Sequence, residues 1–257
     1  MTLPADRKAL LFSAGGVRLA LRLSFLREIL AVAPDEGEVI VRGEPVPTAF
    51  VSTVLGLPAG PSPFALLIEG TPRAALRIEA LHGICDLAGA EVFQLPARTP
   101  LPQPPPFAGA VVIGGELALE LAVGTLGFAP LEPAADHAQA PQGLGVPADR
   151  ELRFARAGRV YAVPLSLLVQ VLEDPRLAPV PLAPPSHRGL LYHGRALHPV
   201  FDLAHVYGDP LAGAARTVLL VDAGGAGVGL VADRILGVRE GGEDVVRPPW
   251  DALFAAT

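Results

Sequence analysis

Two halves of this 257-residue chain repeat each other in order. Phe12–Leu30 lies over Phe154–Leu172 without a gap, pairing Phe12 with Phe154, Gly16 with Gly158, Ala20 with Ala162, Ser24 with Ser166 and Leu30 with Leu172. Ala74–Ile84 lies over Val228–Val238 in the same way, with an acid at Glu79 and Asp233 and a glycine at Gly83 and Gly237. A third match sets Gly37–Pro47 against Gly189–Pro199. Matches in the same order along both halves require one folding module used twice.

The module is a β structure. In Glu116–Leu121, Leu117, Leu119 and Leu121 fall on one face and Glu116, Ala118 and Glu120 on the other, the alternation of a half-buried strand. Gly114-Gly115 before it reads as a two-residue hairpin turn after the apolar run Ala110–Ile113. Similar signals recur at Leu10–Ser13, Arg18–Leu21, Val39–Val41, Phe64–Ile68 and Ala74–Ile78, and amphipathic runs long enough for a substantial helix are missing. The expected class is mainly β with short helices at most.

Composition bounds the partners. Apolar residues make up 51% of the chain, too many for a disordered protein, yet runs such as Val218–Val221 end at Asp222. They stop far short of the roughly 20 residues a spanning helix needs. With 20 basic residues against 26 acidic ones, the chain offers no polyanion-binding stripe, so nucleic acid is not an expected partner. A single cysteine, Cys85, and a first segment without an apolar signal core fit a cytoplasmic protein with no inserted membrane segment. Residues 127–150 carry Pro130, Pro133, Pro141 and Pro147 and no strand pattern. They divide the chain into a first module at 1–126, a linker at 127–150 and a second module at 151–257. Pro96–Pro106 reads as a long loop within the first module.

Reactive groups are scarce. His187, His193, His198 and His205 invite a metal reading, but spacings of five, five and seven put neighbours on opposite faces of a strand and no cysteine is near. The run Ala223–Gly229 follows a strand but is not GxGxxG, and turn geometry explains its glycines. Cys85 lies in an apolar run and reads as a buried thiol, and Glu79 and Asp233 read as solvated or turn-capping carboxylates. The residues thus leave two classes open. One is a non-enzymatic protein-binding module without cofactor or metal. The other is a small ligand- or metal-binding tandem barrel, or an enzyme, using the His187–His205 cluster or the Gly224–Gly229 turn.

The same residues resemble the CheW-like domain of bacterial chemotaxis coupling proteins, found also in CheA histidine kinases. The likeness runs through Tyr161-Ala-Val-Pro164, a proline-rich passage, Pro199-Val-Phe-Asp-Leu203 and Gly229-Leu-Val-Ala-Asp233-Arg-Ile-Leu-Gly-Val238. In the first half it runs through Arg42-Gly43-Glu44 followed by Pro47. The resemblance implies two small five-stranded, SH3-like β-barrels per module and a non-enzymatic adaptor in a two-component system. Its partners would be a CheA-type histidine kinase and a methyl-accepting chemoreceptor or array neighbour. It also implies partner contacts at Arg42, Gly43, Glu44, Gly194 and Arg195, and fold-determining roles for Pro47, Pro199, Val200, Gly83 and Gly237. Three departures stand out. Gly194-Arg195 replaces the family's Arg-Gly order, and Phe50 stands where Asp is usual. The second module is too short after Pro249 for a hairpin like Ala110–Leu121, so its open edge is expected to be covered by the linker, the first module or a partner.

Overall fold

The computed structural model describes residues 7–33, 38–69, 74–126, 130–134, 150–209, 213, 216–240 and 245–250. Most of the expected linker, residues 127–129 and 135–149, lies outside them. The chain divides into two compact units, 1–95 with 101–134, and 96–100 with 135–257. Pro96–Pro100, read from its position as part of a first-module loop, therefore groups with the second unit.

The first unit begins with β1 (Lys8–Ala14), β2 (Val17–Arg22), β3 (Leu26–Ala31), β4 (Val39–Val41), β5 (Glu44–Val46) and β6 (Thr48–Phe50). After the one-turn helix α1 (Val51–Val54) come β7 (Phe64–Ile68), β8 (Ala74–Ile78), β9 (Ala80–Asp86), β10 (Glu91–Phe93), β11 (Phe107–Ile113) and β12 (Glu116–Leu121). They form a six-stranded sheet in the order β10-β11-β12-β2-β1-β9, a four-stranded sheet β3-β7-β8-β6 and the hairpin β4-β5. Alternation decides which side chains go inside: Leu10, Phe12, Leu19 and Leu21 are at most 2% exposed.

The second unit repeats the plan with β13 (Glu151–Arg156), β14 (Arg159–Pro164), β15 (Leu168–Glu173), β16 (Leu177–Ala178), β17 (His187–His193) and β18 (Ala196–Phe201). A second short helix, α2 (Leu203–Val206), precedes β19 (Thr217–Asp222), β20 (Gly227–Ala232) and β21 (Arg234–Arg239). The sheets are β14-β13-β21 and β15-β19-β20-β18-β17-β16. Leu152, Phe154, Tyr161 and Val163 of the smaller sheet pack with Leu219, Val221, Val228 and Leu230 of the larger, and Trp250 rests against this core. The mainly β class expected from the alternation is what the chain forms, as small sheets whose strand order does not close on itself.

The duplication is reproduced down to a β-bulge. β9 leaves register with β1 between Leu11 and Phe12, opposite Gly83 at φ 119°, and β21 leaves register with β13 between Arg153 and Phe154, opposite Gly237 at φ 100°. A side chain would strain either glycine there.

Two expectations are corrected. Cys85 is half-buried, not a core thiol, because β9 is the edge of its sheet; partial desolvation raises the thiol pKa. The outer edge of β14 is met from within its own unit. Val246 donates to Val160 O and accepts from Ala162 N, making a parallel bridge with Tyr161. In the first unit β12 pairs with β2 in the same parallel sense, at Leu119–Leu19 and Glu120–Ala20, and is backed by β11. Among the described residues of the second unit nothing corresponds to β10 and β11.

Candidate functional site: two exposed hairpin tips

The residues singled out for partner contact sit on two equivalent hairpins. β4 and β5 close at Val41–Glu44 around Arg42 and Gly43, and β17 and β18 close at His193–Ala196 around Gly194 and Arg195. All four turn residues have positive φ: 54° and 85° in the first turn, 57° and 60° in the second. This is the two-residue turn whose twist suits a hairpin. Arg42, Gly43, Glu44, Gly194 and Arg195 are all exposed. Arginine therefore occupies the first turn position in one unit and the second in the other, so the two side chains leave their hairpins in different directions.

The fold-determining candidates lie just behind. Pro47 is exposed, and its carbonyl accepts from Ala75 N at 2.9 Å where β6 joins β8. Pro199 is buried opposite Leu190, and Val200, at 0% exposure, pairs with Gly229 of β20. A Cβ on Gly229 would sit 2.8 Å from the Val200 side chain, which explains a glycine in mid-strand.

At the end of the β17–β18 ladder away from the Gly194–Arg195 turn is an ionic hub that sequence reading missed. Arg156, 1% exposed at the end of β13, forks onto Asp202, 0% exposed, through Nε and Nη2. Its Nη1 donates to Asp233 at 2.6 Å and its Nη2 also to Gly213 O at 2.6 Å. Asp202 in addition caps α2 by accepting from Ala204 N at 3.1 Å, and Asp233 accepts from Ala157 N at 2.8 Å in the β13–β14 turn. The hydrogen bond to Asp202 raises the Arg156 pKa further, so the guanidinium is a permanent cation. The first unit solves the same junction without this pair. Its residues at the matching positions are Ala14 and Phe50, and Arg77, 0% exposed, stacks 5.2 Å from the Phe50 ring centre while donating to Ser62 O and Ala33 O. Only the outer carboxylate persists: Glu79 accepts from Gly16 N at 3.4 Å, in the place of Asp233.

The four clustered histidines go to four separate surroundings. His187 is 7% exposed against Phe201, His193 meets Gln170 at 2.9 Å, His198 lies between His193 O and Gly227 O, and His205 stands 3.3 Å from Asp202. Among the described residues no three His, Cys, Asp or Glu side chains converge as a metal site would need. The Gly224–Gly229 run is the β19–β20 turn, with Asp222 accepting from Gly225 N at 2.7 Å and a strand following it, so it lacks the helix a phosphate cradle requires. At Gly227 a Cβ would meet the His198 ring at 2.3 Å.

His187 gives the second unit an acid-side limit. Burial lowers its pKa from 6.5 to about 4. The folded state keeps the ring neutral while the unfolded state takes up a proton below 6.5. Stability is full above that pH and is lost as pH falls toward the folded value. By linkage the loss approaches about 3 kcal/mol at pH 4. Urea melts followed by Trp250, the chain's one tryptophan, should show this loss between pH 7 and 4.5, and His187→Phe should flatten it.

Residues 151–256 match the family model of the CheW-like domain. Among solved structures the chain is similar to the scaffolding protein TtCheW from Thermoanaerobacter tengcongensis. The identity is 22% and the TM-score 0.35, over 38% of this chain and 68% of that one. No curated protein matches the chain. No helix among the described residues is long and apolar enough to cross a membrane.

Proposed function

We propose, from the premise that residues 151–256 form a CheW-like domain, that the chain is a non-enzymatic scaffold of bacterial chemotaxis-type signalling. It couples a CheA-type histidine kinase to a methyl-accepting chemoreceptor or to a neighbouring array component in the cytoplasm. The family match over the second unit carries this reading. The first unit enters it as a divergent copy of the same module, on the strength of the matching bulges at Gly83 and Gly237 and the matching hairpins at Arg42 and Arg195. Two modules on one chain would hold two partners at once or one partner with avidity. The hairpin tips suit contact rather than chemistry, because a guanidinium on an exposed turn offers charge-assisted hydrogen bonds to a partner carboxylate.

Arg42→Glu tests the contact role. An exposed turn substitution shifts stability by less than about 0.5 kcal/mol, whereas a lost charge-assisted hydrogen bond costs about 1.5–3 kcal/mol of binding. Titration calorimetry against a CheA-type kinase and a chemoreceptor of the same organism should show at least roughly tenfold weaker binding to one of them. Unchanged affinity for both removes Arg42 from the interface.

A further inference from the structure

β18 pairs with β20 at Val200–Gly229 and Phe201–Leu230, and its stretch from Ala196 to Pro199 lies beyond that ladder, toward the second turn. One step along the same register Gly227 would face His198, and there a side chain takes over from the backbone. His198 Nδ1 lies 3.2 Å from Gly227 O and its Nε2 3.2 Å from His193 O. Carbonyl oxygens only accept, so a ring carrying both protons donates to both at once and a neutral ring to one of them. Gly227 permits the approach, since a Cβ there would lie 2.3 Å from Nδ1. His193 closes the hairpin opposite Ala196 and donates from its own Nε2 to Gln170 Oε1 on β15 at 2.9 Å. The first unit has Val41 and Val46 at the places of His193 and His198, packed with Val39 in an apolar cluster. Polar ties thus replace apolar packing behind one of two equivalent turns.

We propose, resting on the reading of Arg195 as a partner contact, that His198 is a positioning residue: through His193 O and Gly227 O it fixes the Gly194–Arg195 turn. Apolar packing fills space without direction, whereas a hydrogen bond sets both distance and angle. A turn already held in place spares a partner the cost of ordering it, and that saving appears as affinity. The first turn, backed by valines, has no such strut, so the two tips present their arginines with different degrees of preorganisation.

Amide exchange in the free full-length chain, followed residue by residue by NMR, reads the turn without any partner. His198→Val copies Val46 of the first unit. It should speed exchange at His193 and Ala196 at least about tenfold and leave β19 unchanged. His198→Gln, which keeps an N–H donor, should restore most of the protection. Gly227→Ala, whose Cβ would push the ring away, should act like His198→Val with His198 intact. The second arm is titration calorimetry against a CheA-type kinase and a chemoreceptor of the same organism. His198→Val and Arg195→Gln should each weaken binding to the same partner roughly tenfold, and the double variant should weaken it no further. Unchanged exchange in His198→Val overturns the assignment. So does unchanged affinity in His198→Val where Arg195→Gln loses it, and so do two losses that simply add. Faster exchange, with Arg195→Gln binding both partners as tightly as the parent chain, overturns instead the contact role of Arg195.

Discussion

Arg156→Ala should strongly destabilise the second unit and leave the stability of the first unchanged. The substitution leaves Asp202, 0% exposed, without its guanidinium and releases Asp233 and Gly213 O as well. Removing one partner of a buried ion pair costs about 3–5 kcal/mol, a large part of the roughly 5–15 kcal/mol that holds a typical domain together. Urea melts read by Trp250, which packs on the second core, should shift accordingly, whereas strand signal from the first unit should persist. The duplication supplies the rescue. Arg156→Ala/Asp202→Phe copies Ala14 and Phe50 of the first unit and removes the stranded carboxylate. It should recover all but about 1–2 kcal/mol, the remainder reflecting the lost α2 cap at Ala204 and imperfect packing. A double variant as unstable as the single one would show that the two junctions are not alternative solutions of one problem.

Arg247→Ala should cost the second unit about 3 kcal/mol, at the lower end for a buried pair because Arg247 is 9% exposed while Glu151 is 1% exposed. It should also loosen the bridge that Val246 makes to β14. Amide exchange at Val246 and Ala162, whose N–H groups donate to Val160 O and Val246 O, should accelerate more than exchange in β19. The first unit holds its own last strand with the opposite polarity, Arg22 on β2 forking onto Glu120 on β12. Both units therefore fasten the strand beside β2 or β14 with a fork of arginine on glutamate, from different strands.

What the chain discloses to a reader follows the range of the interactions. Strand alternation and the Gly114-Gly115 turn are local, and the elements they announce, β11 and β12, stand where expected. Ordered matches between the halves carried farther, since residues aligned in sequence occupy aligned registers, as Gly83 and Gly237 do at their bulges. The ion pairs were hidden by distance. Arg156 and Asp202 are 46 residues apart and Glu151 and Arg247 are 96 apart, and a charged residue at a strand end reads as solvated. One signal was nevertheless present: Arg156 aligns with Ala14, and Asp202 with Phe50, so both members of the pair are lost together in the first half. Cys85 misled for a physical reason. An apolar run implies burial only where both sides of the strand are covered, and β9 is an edge. The pairing of the outer edge of β14 was likewise judged by strand count alone, and it is the single residue Val246, not a hairpin, that meets it.

The scaffold reading stands or falls on receptor control of a kinase. The direct measurement is autophosphorylation of a CheA-type kinase from the same organism, mixed with a chemoreceptor in membranes, with and without the full-length protein. The account predicts that kinase activity responds to receptor ligand only when the protein is present, and that Arg156→Ala loses this effect while Arg156→Ala/Asp202→Phe regains it. Kinase activity that ignores the protein at concentrations saturating for binding, or a ligand response equally strong without it, would contradict the account.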